Sequence, residues 1–409
     1  MNDGQQLYLQ TIKYDLSHMS EFIKAAKSLE KVLIAERRDF HRHPEVGYNE
    51  IRTSGIVAQL LDELGMQVQD GVGKTGVVGL LGGQHAGPTV LLRFDMDALP
   101  IQEENDVEYV SQNDGVMHAC GHDGHVAIGM CVARMLAEHS DNLKGSIKFV
   151  FQPAEEGGAG AAAMIKDGVL LEPNPDYVYG MHLWNERPVG WVGATDGNMM
   201  AGSCSWQCTI VGNGGHAAAP HHTNDPAIAA AQIVVGLQTV VSRNLPPSDA
   251  VVVSVTQIHC GDTHNVIPNE ASLAGTLRYF SDFAYETVTN SVTRIAKDIA
   301  SAMGCSANVS FSTGYRPVSN NLDAARLVRE QAQCLPEVNI VSNEERTAVS
   351  EDFSEFMVDI PGCYFFVGSS DSERGLDYPH HHPKFDIDEQ SLTIGAAMMA
   401  GIASQHVLQ

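Results

Sequence analysis

The sequence predicts an α/β protein, built on a mixed, largely parallel sheet covered by helices and interrupted by an inserted ferredoxin-like α+β domain. Three observations lead there. The chain has 409 residues, with 44% hydrophobic and 18% charged, a globular composition too long for one ordinary core. Short β-rich runs alternate with helical stretches toward both ends. The middle of the chain has a different element order.

In chain order, Phe22, Ala26, Leu29, Leu33 and Phe40 recur at helical spacing, and VVGLLGG and TVLLRF are β-rich runs ending in turn residues. SIKFVFQ, YVYGMHLW and CYFFVGS read as further strands separated by helical sequence, the pattern of a parallel sheet with covered faces. Between them, Ser203 to Gly212 reads as a strand, and Asp225-Pro226 as the cap and first residue of an Ala-rich helix. VVVSVTQIH and ASLAGTLRYF are strands, a helix follows from about Phe283 to Met303, and ANVSFST is a strand. This β-α-β-β-α-β order is the split βαβ arrangement. The expected division is a discontinuous domain of residues 1–199 and 313–409, with residues 200–312 inserted.

Composition narrows the function. With 25 Lys+Arg against 50 Asp+Glu, the formal charge is -25, which repels a phosphate backbone and argues against nucleic acid as a partner. The first twenty residues have no basic region followed by an apolar stretch, so no secretory leader is expected. The longest apolar-rich run, Ala227 to Val241, is broken by Gln232 and Gln238 and is too short to span a bilayer. The eight cysteines lack paired spacing, which fits reduced thiols and a cytoplasmic protein. GVGKT at Gly71 to Thr75 lacks the glycine a phosphate loop needs at position 68, which is Val68. GNGGH at Gly212 to His216 lacks the third glycine of a dinucleotide fingerprint, since Ala217 stands there.

Four separated clusters carry the chemistry, each at a predicted strand end or in the loop beyond it. RFDMDALP, Arg93 to Pro100, puts two carboxylates after an apolar strand. MHACGHDGH, Met117 to His125, packs three histidines, a cysteine and an aspartate into eight positions. Packing does not explain that density, because each buried polar group needs a partner. Cys120 and His122 are close enough to approach one metal as thiolate and imidazole. No further Cys or His follows at structural-zinc spacing, so other ligands must come from elsewhere in the fold. FQPAEEGGAGA, from Phe151, runs a strand into Glu155 and Glu156, where one carboxylate can bind metal while its neighbour holds water. GMHLW supplies His182, and PHHHPKFD supplies His380, His381 and His382. Singly, each of these residues suits an ordinary core or surface role. Together they follow the rule that open α/β sheets bind ligands at the carboxyl ends of their strands.

From about Phe40 to Ser404, the sequence resembles the aminoacylase/carboxypeptidase family of dinuclear metallohydrolases, peptidase family M20. The resemblance is to the amidohydrolase branch that holds hippurate hydrolases, N-acyl-amino-acid amidohydrolases and auxin-conjugate hydrolases. It rests on FHRHPEVGYNE, RFDMDALPIQE, MHACGHDGHVA, FQPAEEGGAGA, GMHLW, GNGGHAAAPHHTNDP, HNVIPNEA, GTLRYF, SEDFSEF and HHPKFD. It implies a zinc-exopeptidase-like catalytic domain with an inserted dimerisation domain, and two divalent metal ions held by Cys120, His122, Glu156, His182 and His381. Glu155 is implied as general base, Asp95 and His216 as further catalytic residues, and Asn265 and Arg278 as binders of the substrate carboxylate. An arginine fork suits that carboxylate. More distant family peptidases carry a metal-binding histidine where this chain has Arg93, and His380 stands where leucine is expected. A small N-acyl amino acid or short peptide is the implied substrate, and a homodimer the implied assembly, with His216 reaching the partner's site. Zn, Mn, Co and Ni all suit the mixed donor set. The rival readings are a dipeptidase or metallocarboxypeptidase of the same family, an amidase using Cys120 activated by His122 or His125, and an inactive metal-binding protein.

Overall fold

The structure is a computed structural model that describes residues 17–408; the first residues, read above for a leader, lie outside them. The chain begins α1 (Ser17–Ser28), α2 (Glu30–Arg42), α3 (Ile51–Glu63), β1 (Gln67–Val72), β2 (Gly76–Gly82), β3 (His85–Asp95) and α4 (His122–Ala137). It continues with β4 (Lys144–Gln152), the short turn α5 (Glu155–Gly158), α6 (Gly160–Lys166), β5 (Tyr177–Pro188) and β6 (Trp191–Gly193). The middle holds β7 (Gly197–Met200), β8 (Gly202–Val211), β9 (Gly215–His216), α7 (Pro226–Leu237), α8 (Thr239–Asn244) and β10 (Val252–Cys260). Next come β11 (Val266–Ile267), β12 (Glu270–Tyr279), α9 (Asp282–Ala302), β13 (Ser306–Thr313) and β14 (Val318–Asn320). The chain ends with α10 (Leu322–Gln333), β15 (Ile340–Ser342), β16 (Gly362–Ser370) and α11 (Gln390–Val407).

Two compact units result. The first comprises Met1–Ala194, Asn321–Asn343 and Ile360–Gln409, and the second Thr195–Asn320 with Glu344–Asp359. The first unit carries an eight-stranded sheet in the order β1-β2-β4-β3-β5-β16-β6-β15. Its centre, β4, β3, β5 and β16, is parallel, while β1, β2 and the β16/β6 pair are antiparallel. The last seven residues of β3 and nearly all of β16 are buried. Strands covered on both faces need apolar side chains on both, which is why TVLLRF and CYFFVGS read as continuous rather than alternating runs. Helix α11 is apolar on every side and buried along almost its whole length, as expected of a helix inside a core. The helical periodicity from Phe22 to Phe40 belongs to two helices, because Leu29 separates α1 from α2.

The second unit's main sheet runs β10-β12-β8-β13, all antiparallel. Taken in sequence with α7 and α9, this is the ferredoxin-like order. Strand β8 buries Cys204, Trp206, Cys208 and Ile210 and turns Ser205 and Gln207 outward, a one-faced alternation. Those apolar residues pack with Ile233 and Leu237 of α7 and Val288 and Val292 of α9. The caps are those the composition suggests: Asp225 Oδ1 accepts from the Ala227 N–H at 2.8 Å, and Ser281 Oγ from the Ala284 N–H at 3.2 Å. Among the described residues, no helix is long and apolar enough to cross a membrane. All eight cysteines are free.

Candidate active site

The four chemical clusters converge at the carboxyl ends of the first unit's parallel strands. Strand β3 delivers Asp95 and then Asp97, β4 runs into Glu155 and Glu156, and β5 carries His182 two residues beyond Gly180, the partner of Arg93. Helix α4 opens with His122, directly after Cys120 and a left-handed Gly121, φ 87°. The loop after β16 brings His381, whose own φ is 65° and whose N–H donates to the Ala119 carbonyl at 2.8 Å. That bond seats the loop beside Cys120.

Two triads of donor atoms share Cys120. Its Sγ, with His122 and His182, forms one set within 4.8 Å, and with Glu156 and His381 it forms another. Cys120 Sγ is 3.4 Å from His182 Nε2, and His381 Nε2 is 3.0 Å from Glu156 Oε1. Backbone carbonyls aim the imidazoles. His122 Nδ1 lies 2.8 Å from the Asp97 carbonyl oxygen, and His182 Nδ1 lies 2.7 Å from that of Leu183. Each Nδ1–H is therefore spent on a carbonyl, which leaves Nε2 as the nitrogen that can ligate, the arrangement found behind metal-ligating histidines. His122 Nε2 and Asp97 Oδ1 are buried without a hydrogen-bond partner, and Glu156 Oε1 lacks an aligned one. Buried polar atoms left bare are costly. The donor set therefore fits divalent cations, two triads with one shared sulfur.

The electrostatics agree. Burial pushes the Cys120 thiol well above its usual range, and the carboxylates of Glu156, Glu155 and Asp95 add to the effect. Burial opposes charge on His122, yet Asp95, Asp97 and Glu156 overcome it and raise that imidazole to about 10. Burial, with His125 and His380 beside it, holds His182 well below the usual histidine range. The cavity is rich in negative charge that a cation would neutralise. A nucleophilic cysteine needs the opposite, a depressed thiol pKa beside a free base. His125 offers no such base, since its Nδ1 meets Asp95 Oδ1 at 2.5 Å and its Nε2 accepts from the Leu183 N–H at 2.9 Å.

Other residues hold this centre in place. Asp95 accepts from Arg93 Nη1 at 2.5 Å and meets His125 Nδ1 at 2.5 Å, contacts that fix both side chains beside the centre. Glu155 is buried and lies within reach of His122 and Glu156. His380 turns away from the thiol, its Nε2 3.0 Å from the Leu183 carbonyl oxygen, while His382 Nδ1 accepts from the Lys384 N–H. His381 is the histidine of that run which joins a triad. His118 is buried and belongs to none of the triads.

Two contributors were not singled out from the sequence. Asp97 Oδ2 accepts from the Glu156 N–H at 2.9 Å, and its spacing of two from Asp95 was the available signal. Arg37, fully buried, donates to Asp123 at 2.8 Å and to Asp386 at 2.7 Å. It thereby ties the first turn of α4 to the loop that carries His381. Nothing in the spacing of Arg37 announces that link.

The remaining expected site residues lie in the second unit. His216 sits on β9, opposite Val266, with Nδ1 accepting from the Ala218 N–H at 3.0 Å. The Asn265 carbonyl accepts from the Ala217 N–H at 3.1 Å, so these two residues are neighbours. Arg278, near the far end of β12, pairs with Ser203 and Val252, and its Nη1 donates to Thr276 Oγ1. The nine residues from Glu270 to Arg278 make eight steps, about 27 Å at the rise of a strand. Arg278 thus lies at the opposite end of β12 from Glu270, the first residue after the turn that follows β11.

Strand-end carboxylates, imidazoles and a shared thiol define the class: a metal-dependent hydrolase of α/β architecture. Residues 91–405 match peptidase family M20/M25/M40. The chain is 38% identical to thermostable carboxypeptidase 2 of Saccharolobus solfataricus, over 92% of this chain and 96% of that protein. It is 39% identical to N-acetyl-L-cysteine deacetylase of Bacillus subtilis, over 89% of this chain and 86% of that one. Among solved structures, the YXEP protein of Bacillus subtilis, described as a dinuclear metal binding peptidase from M20 family, superposes with a TM-score of 0.82. It shares 34% identity over 92% of this chain and 98% of its own. The chain belongs to peptidase family M20/M25/M40 and is a hydrolase acting on amide bonds.

Proposed function

We propose that this protein hydrolyses the amide bond of N-acyl amino acids, releasing a carboxylic acid and a free amino acid. The observation that carries the reading is Glu155 beside two donor triads that share Cys120. Two divalent cations, one with Cys120, His122 and His182 and one with Cys120, Glu156 and His381, would polarise the scissile carbonyl and acidify water. Zn, Mn, Co and Ni each suit those donors. Glu155 takes a proton from the attacking water as its oxygen bonds to the carbonyl carbon. The same carboxyl returns the proton to the nitrogen as the C–N bond breaks. The relatives' names favour this class, N-acetyl-L-cysteine deacetylase among them. The carboxypeptidase name of another relative keeps a peptide bond next to a free carboxylate as the second reading.

The substrate reading predicts a dependence on the free carboxylate. A panel of N-acyl amino acids and dipeptides should be cleaved, while their C-terminal amides lose at least about a hundredfold in kcat/KM, because the carboxylate's charged hydrogen bonds go unmade. Equal cleavage of acids and amides would refute it.

The first unit is assigned the catalytic role and the second a dimerisation role, in a cytoplasmic homodimer. The separation of Arg278 from His216 and Asn265 supports the assembly, since a complete site then draws on two copies. So does the edge strand β10, which exposes Val252 and Ile258, and helix α7, which exposes Ile228 and Val235. His216, supplied by the second copy, would donate to the developing oxyanion. Mixing inactive Glu155→Gln with inactive His216→Ala protein should then restore activity. Random exchange makes about half the dimers mixed, each with one working site, so about a quarter of wild-type activity is expected. No recovery after proven exchange would remove the shared-site reading and leave the metal centre standing.

A further inference from the structure

The motif FHRHPEVGYNE contributes no residue to either donor triad, yet it encloses the loop that presents Glu155. Strand β4 ends at Gln152, and Ala154 then adopts φ 49°, ψ 45°, a left-handed conformation that an L-residue adopts only when its surroundings enforce it. Beyond it, Glu156 has a non-helical ψ of 70° and Gly157 a φ of 79°. Ala154 is enclosed. A Cβ added at Gly47 would stand 3.0 Å from its methyl, and one at Gly158 only 2.6 Å away.

The enforcing contact comes from Glu50, which is completely buried. Its Oε1 accepts from the Ala154 N–H at 2.8 Å, and its Oε2 accepts from the Thr75 hydroxyl at 2.6 Å. The Ala154 carbonyl accepts from the Gly160 N–H at 3.1 Å. Both backbone groups of the strained residue are thus engaged, one by a side chain 104 residues away in sequence. Tyr48, itself at φ 64°, donates to the Gly158 carbonyl at 2.6 Å. Asp97 holds the Glu156 N–H between these two points. A buried carboxylate is expensive to desolvate, and a serine or a water could satisfy one backbone amide. What the carboxylate adds is two fixed acceptors, one anchored on Thr75 and the other aimed at the residue before the general base.

We propose that Glu50 is a positioning residue for Glu155: its carboxylate holds Ala154 in the left-handed conformation and so sets the direction of the base. The inference rests on the assignment of Glu155 as general base made above. Removing the carboxylate lets Ala154 relax toward an ordinary conformation and swings Glu155 off the attacking water, while the triads keep their donors.

The test is a cycle on the metal-loaded enzyme, reading kcat, KM and bound metal together. Glu50→Ala is expected to lower kcat at least about tenfold, with KM within about twofold and metal unchanged, the pattern of an interaction needed in the transition state. Glu50→Gln should stay within about threefold of wild type, because its oxygen still accepts from Ala154 and its amide can donate to Thr75. Glycine adopts the left-handed conformation without strain. The same Glu50→Ala change in an Ala154→Gly background should therefore cost less than about threefold, a coupling that simple loss of packing does not produce. If Glu50→Ala fails to fold, Glu50→Asp, one methylene too short to span both partners, should show the same drop in kcat at constant metal. Equal losses in the two backgrounds, a loss that tracks lost metal, or wild-type kcat in Glu50→Ala or Glu50→Asp would overturn the proposal. Glu155→Gln in the same assay separates the two readings. If it keeps turnover, the general-base assignment falls; if it is inactive while Glu50→Ala is not, only the positioning role falls.

Discussion

Replacing Glu155 by glutamine is expected to leave bound metal at the wild-type level and lower kcat by about a thousandfold, the range that general acid-base catalysis supplies. The amide is nearly isosteric with the carboxylate and belongs to neither triad that shares Cys120, so the donors keep their places. It cannot take a proton from water, nor deliver one to the departing nitrogen. Loss of metal in this variant would mean that the roles of Glu155 and Glu156 are exchanged. Elemental analysis beside turnover decides between the two.

Cys120→Ala should act in the opposite order, with metal lost first and activity as a consequence. Cys120 is the donor common to both triads, so one truncation removes an anionic ligand from each. Outer-sphere partners alone are worth about ten- to a hundredfold in metal affinity. A shared ligand should cost at least about a hundredfold, read as retention of metal against a chelator. The fold should survive, because backbone carbonyls still hold the His122 and His182 rings and the His381 N–H still holds its loop to Ala119. A Cys120→Ala protein that holds metal as tightly as wild type would contradict the shared-ligand geometry.

The parts of this arrangement legible in the sequence are those that repeat or crowd. Buried parallel strands such as β3 and β16 announce themselves as apolar runs, and the one-faced β8 by alternation. The Cys120 to His125 cluster stands out because so many titratable groups beside an apolar helix need a common purpose. The expectation for His381 came from resemblance, and the structure adds its geometry: His380, in a leucine's place, bonds a carbonyl while His381 meets Glu156. Short strands such as β6, β14 and β15, three residues each, leave no periodicity to read. Glu344–Asp359 groups with the second unit although it lies far beyond the inserted strands in sequence. Glu50 and Arg37 were invisible for a different reason. Each works through a partner about 86 to 104 residues distant, and a buried charge satisfied by remote groups carries no local pattern.

The account rests on hydrolysis by a two-cation centre, and a titration of metal-free protein tests it most directly. Apo protein should be inactive toward N-acyl amino acids, and activity should rise with added Zn, Mn, Co or Ni until about two equivalents per chain are bound, as two triads sharing one sulfur require. Apo protein as active as protein saturated with each of these metals would contradict the account.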